Sequence, residues 1–196
     1  MLTLVGLEEQ RVNLLCHTCK EKLPTGAEIC IANYLFPKGY VVSGTGEALK
    51  LMRELASGLE DVRCTIKDVH VSGAFHSSLM TSAVVKLWKG LEKVDISVPR
   101  IPVYSNVTGL PYSGVEEIRH RLAEQVIKPV MWEATMRNMI ERARGREEEL
   151  LGEEREGEGE GEGEREVRFV EVGPGRQLRS MLKRIDNNAF KKCINF

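Results

Sequence analysis

A histidine stands inside Ser72-Gly73-Ala74-Phe75-His76-Ser77, where a strand-like run turns into a helical one. An imidazole in that position can face a cleft, and histidine's titration near neutrality suits proton transfer. A lone histidine at a helix start is more often a satisfied surface group. Two further segments shift that balance. Tyr104-Ser105-Asn106-Val107-Thr108-Gly109 breaks a strand into a turn, and Phe169 to Gly175 runs a strand into a glycine turn and a helix. Both are C-terminal ends of strands, where α/β sheets place their sites.

Other chemical spacings carry less. Cys16 and Cys19 have C-x-x-C spacing, with His17 between them. No second C-x-x-C or H-x-x-x-H completes four zinc ligands, and the pair lies in a helical pattern rather than after a strand, so coincidence is favoured and no metal is expected. Gly44-Thr45-Gly46 resembles a phosphate loop but lacks the third glycine and the following Lys-Ser/Thr, so it reads as a strand-to-helix turn. Asn106-Val107-Thr108 is a glycosylation sequon, although odd, scattered cysteines point to a reducing compartment. Trp88 and Trp132 sit among aliphatic residues at helical spacing and are expected in the core.

The elements that must position these residues fall into two regions. Residues 1–70 read as strand 1–6, helix 8–22, strand 28–36, strand 40–43, helix 46–56 and strand 62–69. This βαββαβ order is the ferredoxin-like split unit. Beyond residue 70 come a helix over 78–91, a strand over 101–105, helices over 115–127 and 131–144, a strand over 167–172 and a helix over 176–185. Strand and helix alternation argues an α/β layer with a parallel sheet, but two strands are too few for a usual sheet. This region therefore reads as part of a domain.

The chain has 196 residues, 42% apolar and 29% charged, with a net charge of −1. No apolar run is long enough to span a bilayer. The charge is unevenly placed: residues 147–166 hold eleven glutamates against two arginines, and removing that −9 leaves +8 on the other 176 residues. A Glu/Gly tract cannot bury enough apolar area to order itself, so 147–166 is expected to be a disordered, solvated loop. The basic remainder favours acidic partners. An RNA-binding split βαβ domain is disfavoured, because the residues of strands 1–6 and 40–43 supply only Tyr40 for base stacking.

Six segments in order carry a resemblance: Asn33-Tyr-Leu-Phe-Pro, Val42-Ser-Gly, Gly73-Ala-Phe-His-Ser, Tyr104-Ser-Asn-Val, Gln125 through Trp132, and Glu171-Val-Gly-Pro-Gly-Arg-Gln-Leu. Together they resemble the malonyl-CoA:acyl carrier protein transacylases, most of all the mitochondrial animal form. The resemblance covers Met1 to about residue 185, apart from the Glu/Gly tract. It implies a ferredoxin-like subdomain (1–70) and the C-terminal part of a hydrolase-like parallel α/β core (71–186), followed by a divergent tail over 187–196. It also implies malonyl transfer from malonyl-CoA to the phosphopantetheine thiol of acyl carrier protein in fatty acid synthesis, without a cofactor. A monomer in the mitochondrial matrix is expected, with no nucleic-acid or membrane partner.

In that family a serine in G-H-S-L-G attacks the thioester and a histidine activates it. The histidine carries over to His76, and Gln125 matches the position whose backbone carbonyl orients the ring. Phe75 resembles the malonyl-selective pattern, and Asn106 falls in a site motif as a substrate-binding candidate. The sequence contains no G-x-S-x-G; Val42-Ser43-Gly44-Thr45-Gly46 lacks the first glycine. The expectation is thus a C-terminal portion of the enzyme, inactive alone, with Met1 as an internal methionine. The alternative is a non-catalytic short form that only binds acyl carrier protein.

Overall fold

The structure is a computed structural model that describes residues 1–156 and 168–195. Two compact units divide it, Met1–Thr135 and Met136–Phe196. The change of pattern near residue 70 lies within the first.

The first unit opens with β1 (Leu2–Val5), α1 (Glu9–Lys22), β2 (Ile29–Phe36), β3 (Gly39–Gly44), α2 (Gly46–Ser57) and β4 (Thr65–Asp68). The sheet runs β2-β3-β1-β4 with every pairing antiparallel, which is the ferredoxin-like arrangement. Its helices form because apolar residues recur at helical spacing. Val12, Leu15, Cys16 and Cys19 line the buried stripe of α1, and Ala48, Met52 and Ala56 line that of α2. They pack on Leu2, Leu4, Ile29, Ile31 and Val42, the strand residues that alternate onto the same sheet face. Fully burying one such aliphatic side chain contributes about 1.5–3 kcal/mol, so this cluster holds the subdomain together. At Gly6 the backbone adopts φ +108°, and a Cβ there would meet the Arg63 carbonyl. Only glycine fits where the chain leaves β1.

The rest of the unit contains a 3-10 turn (Ser78–Met80), α3 (Thr81–Leu91) and α4 (Val115–Glu124). The strand expected over 101–105 does not form. What remains is an isolated bridge between Tyr104 and Pro111, with Ile101 72% exposed and Val103 43% exposed. A ladder needs a neighbour, and among the described residues no strand runs beside this segment.

Helix α5 (Trp132–Glu156) continues well past Arg144, the end expected from sequence. Its backbone stays helical over 147–156, which corrects the expectation of a solvated loop there. Glu, Arg and Leu, which fill most of 147–156, are good helix formers. The rest of the expected loop lies outside the described residues. No helix among the described residues is long and apolar enough to cross a membrane.

The second unit pairs β5 (Phe169–Glu171) in parallel with β6 (Cys193–Asn195), joined through α6 (Gln177–Ile185) and α7 (Asn187–Lys191). The segment expected as a divergent tail thus carries α7 and β6 over 187–195. Asp186 caps α7 by accepting from the backbone N–H groups of Asn188 and Ala189, each at 2.9 Å, and pairs with Arg144 at 2.7 Å. Glu171 plays the same part for α6, accepting from Leu178 and Arg179 N–H at 2.9 Å each. The glycine turn after β5 thus folds back so that the strand's own carboxylate meets the helix start.

Candidate active site

His76 sits in the loop between β4 and the 3-10 turn with a left-handed backbone, φ 61°. That conformation is uncommon outside glycine and costs about 1–3 kcal/mol unless the surroundings hold it. Four contacts do so. The His76 N–H donates to the Val126 carbonyl at 2.9 Å, and the Cys30 thiol donates to the His76 carbonyl at 3.6 Å. Buried Ser77 donates its hydroxyl to the Ala74 carbonyl at 2.6 Å, tightening the loop beside it. The ring itself supplies the fourth: Nδ1 lies 2.6 Å from the Gln125 carbonyl oxygen and 3.1 Å from that of Lys128.

Both of these partners can only accept, so Nδ1 must carry the hydrogen. In the neutral ring, Nε2 is then the acceptor and is available to take a proton. Gln125 is the C-cap of α4, where a helix leaves its last carbonyls without intrahelical partners, and Lys128 follows in the turn beyond it. Pro129 stops the helix from continuing and biases Lys128 toward an extended backbone.

The ferredoxin-like sheet holds this segment in place. β2 is an edge strand, and its free edge accepts Val130: Val130 N–H donates to Ala32 at 2.8 Å, and Tyr34 N–H donates to Val130 at 2.9 Å. The next residue, Met131, donates to the Asn106 carbonyl at 2.7 Å, so the Tyr104–Gly109 turn joins the same strap. Gly109 has φ 71°, and a Cβ there would crowd Thr135 N and Ala134.

His76 and Gln125 are therefore brought together, and Asn106 is tied to the same segment through its backbone. The Asn106 side chain is exposed, and Phe75 is half-buried beside His76. The carbonyls of Val126 and Lys128 and the thiol of Cys30 did not emerge from the sequence. Side-chain types do not mark which backbone carbonyls will accept from a ring, although Pro129 just beyond them was a visible signal.

The other chemical spacings resolve differently. Cys16 and Cys19 point into the packed core of the subdomain, while His17 faces outward beside Glu21. Burial, with smaller effects from the neighbouring cysteines, pushes the Cys16 thiol up to about 12, which opposes thiolate chemistry. Trp88 and Trp132 are half-buried rather than core residues. Trp88 donates to Glu92 at 3.0 Å and stacks edge-on with His120, which also faces Glu124 at 3.5 Å. Thr45 occupies the N-cap position of α2, so Gly44-Thr45-Gly46 is a strand-to-helix turn.

An α/β fold with a ferredoxin-like sheet that presents a carbonyl-clamped histidine defines the class. No family model matches the chain. It is 36% identical over 195 residues to the mitochondrial malonyl-CoA-acyl carrier protein transacylase of Homo sapiens, covering 97% of this chain and 45% of that protein. The probable mitochondrial enzyme of the same name from Drosophila melanogaster is 36% identical over 165 residues, covering 84% of this chain and 38% of that one. The malonyl CoA-acyl carrier protein transacylase structure from Coxiella burnetii superposes with a TM-score of 0.79 at 24% identity, over 99% of this chain and 52% of that one. The chain is thus homologous to the malonyl-CoA-acyl carrier protein transacylases, and it spans somewhat under half the length of the curated relatives it matches.

Proposed function

We propose that this chain is the histidine-bearing portion of a mitochondrial malonyl-CoA:acyl carrier protein transacylase, with His76 as its general base. The observation that carries this is the clamp on Nδ1: two carbonyl acceptors hold the hydrogen there and leave Nε2 to exchange protons. In the first half-reaction His76 takes the proton of a serine hydroxyl as its oxygen attacks the malonyl thioester. The thioester C–S bond then breaks, and His76 returns the proton to the departing coenzyme A thiolate. In the second, His76 deprotonates the phosphopantetheine thiol of acyl carrier protein, which attacks the malonyl-serine ester. The serine oxygen leaves and recovers the proton, so the enzyme is restored. Gln125 and Lys128 act only through the ring, by fixing its tautomer and direction. Phe75 and Asn106 are the substrate-facing candidates, and the mitochondrial matrix is the proposed site of action.

No G-x-S-x-G occurs in these residues, so the serine has to come from a segment outside them. The test is a chimera in which a segment carrying the family's G-H-S-L-G serine is placed before this chain. Labelled malonyl should pass to acyl carrier protein, and His76→Ala should lower the rate about 10²–10⁴-fold with far less change in KM. His120→Ala, whose ring meets Trp88 and Glu124 and not the Gln125 and Lys128 carbonyls, should leave the rate unchanged. A chimera in which His76→Ala keeps near-normal turnover would overturn the proposal. So would stable malonyl labelling of Ser43, Ser72 or Ser77 in the 196-residue chain alone. The +8 on the residues outside 147–166 favours a second reading, a non-catalytic form that docks an acidic carrier protein. That form would bind carrier protein while the chimera transferred nothing.

A further inference from the structure

Strand β2 grips the surroundings of His76 at two points. Its edge takes Val130, just beyond the turn that carries the Gln125 and Lys128 carbonyls: Val130 N–H donates to the Ala32 carbonyl, and Tyr34 N–H donates to the Val130 carbonyl. Two residues before Ala32 on the same strand, the Cys30 thiol donates to the His76 carbonyl at 3.6 Å. One strand thus holds both the ring's acceptors and the backbone that carries the ring.

The local structure of β2 explains this reach. Its register against β3 shifts between Ile31 and Asn33, so Ala32 is an extra, bulged residue. A bulge leaves that residue out of the ladder and bends the strand around it. Ile31 packs into the core beneath the helices, which turns Cys30 to the other face of the sheet. Ser43 stands directly opposite Cys30 on β3 and shares that face. Ser43 is fully buried, and its hydroxyl has no hydrogen-bond partner among the described residues. Of the two side chains, Cys30 is the one bonded to the His76 loop. Burial pushes its thiol above the ordinary value, against a smaller downward pull from Lys20, so it keeps the hydrogen that it donates.

The two soft dihedrals of His76 set how the peptide groups on either side of it are turned. Its N–H, on one peptide, is held by the Val126 carbonyl, and its carbonyl, on the other, is held by Cys30. Holding both fixes the left-handed conformation at φ 61° and with it the direction of the side chain. We propose that Cys30 is a positioning residue for His76: by holding the His76 carbonyl, it fixes the backbone from which the ring reaches the Gln125 and Lys128 carbonyls and keeps its hydrogen on Nδ1. Cys30 takes no part in the proton or acyl transfers. Its effect on the rate rests on His76 being the proposed base; its effect on the tautomer does not.

Nitrogen-15 NMR of the histidine-labelled 196-residue chain reads the tautomer, in mildly alkaline buffer where imidazoles are neutral. In the parent, His76 should carry its hydrogen on Nδ1. Cys30→Val fills the space and suits a strand but lacks a donor, so His76 should populate both tautomers. Cys30→Ser keeps a donor and should stay with the parent. Ser43→Ala removes a neighbouring hydroxyl that has no partner to lose, and should change nothing. Circular dichroism checks that each variant folds, and Cys30→Ala, which adds no bulk, replaces Cys30→Val if that variant unfolds. In the chimera, Cys30→Val should lower kcat about two- to tenfold, the worth of one net hydrogen bond, with KM nearly unchanged. Cys30→Ser should recover most of that loss, which a merely loosened core would not allow.

The positioning role is refuted if His76 keeps the Nδ1 tautomer in both Cys30→Val and Cys30→Ala, or if Cys30→Ser behaves like Cys30→Val. It is also refuted if Ser43→Ala shifts the tautomer as far, or if the loss in the chimera lies in KM alone. Unshifted tautomers beside an inactive His76→Ala chimera would remove Cys30 and leave the base in place. Shifted tautomers beside a fully active His76→Ala chimera would do the reverse, so the two failures are distinct results.

Discussion

The left-handed backbone of His76 permits a test of whether this residue is held in place at an energetic cost. Two substitutions, His76→Ala and His76→Gly, remove the same ring and the same contacts to Gln125 and Lys128. They differ in what they do to the backbone at φ 61°. Alanine keeps a Cβ, which costs about 1–2 kcal/mol in a left-handed conformation, whereas glycine adopts it freely. Against that, glycine adds about 0.4–1 kcal/mol of conformational freedom to the unfolded chain. The glycine variant should therefore be more stable than the alanine variant by roughly 0.5–1 kcal/mol, the difference between those terms. Both should be less stable than the parent, because each hydrogen bond lost contributes about 0.5–1.5 kcal/mol. Urea denaturation followed by a signal from the first unit measures this. With a slope of about 2 kcal/mol per molar, the two midpoints should differ by about 0.3–0.5 M. If the alanine variant matches or exceeds the glycine variant, the backbone at His76 is not strained and the account of the clamp is wrong.

The elevated thiol of Cys16 gives a second expectation. With its pKa near 12, only about one molecule in ten thousand carries the thiolate at pH 8, so alkylation of Cys16 in the folded chain should be far slower than in urea. Mass spectrometry of timed iodoacetamide reactions reads this directly, and rapid modification of Cys16 in the native protein would contradict its burial. A third concerns Asp186, whose carboxyl is held below its ordinary value, first by the Ala189 N–H and further by the Asn188 N–H and Arg144. A lowered folded pKa stabilises the fold above the unfolded value of about 3.9 and loses that contribution as pH falls through the folded one. Asp186→Ala should cost about 1 kcal/mol near neutrality, as loss of a helix cap does, and the gap from the parent should close in acid. Thermal melts at steps from pH 7 down to pH 2 check both halves: the gap should narrow as pH falls below the ordinary carboxylate range, and a gap independent of pH would refute the electrostatic account.

Much of the ferredoxin-like subdomain was legible in the sequence because its signals are local. The helix over 8–22 and the strand over 1–6 follow from local pattern, although of the apolar residues read along that helix Leu15 and Cys19 are buried while Leu14 is exposed, and the Pro37-Lys38-Gly39 turn marks the hairpin. The pairing of His76 with Gln125 came from the family resemblance, and the structure places the two groups within hydrogen-bond distance. What the local pattern left out is non-local. Ile101 to Ser105 has strand composition, but a strand exists only when another lies beside it, and among the described residues none does. The helix continuing to Glu156 was hidden by composition: the glutamates read as solvated chain are also good helix formers. The second carbonyl on the His76 ring, the Cys30 thiol under its backbone and the left-handed turn itself arise only when the end of α4 is strapped to the edge of β2. Backbone carbonyls are present at every residue, so their identity as ring acceptors is decided by where the tertiary fold delivers them.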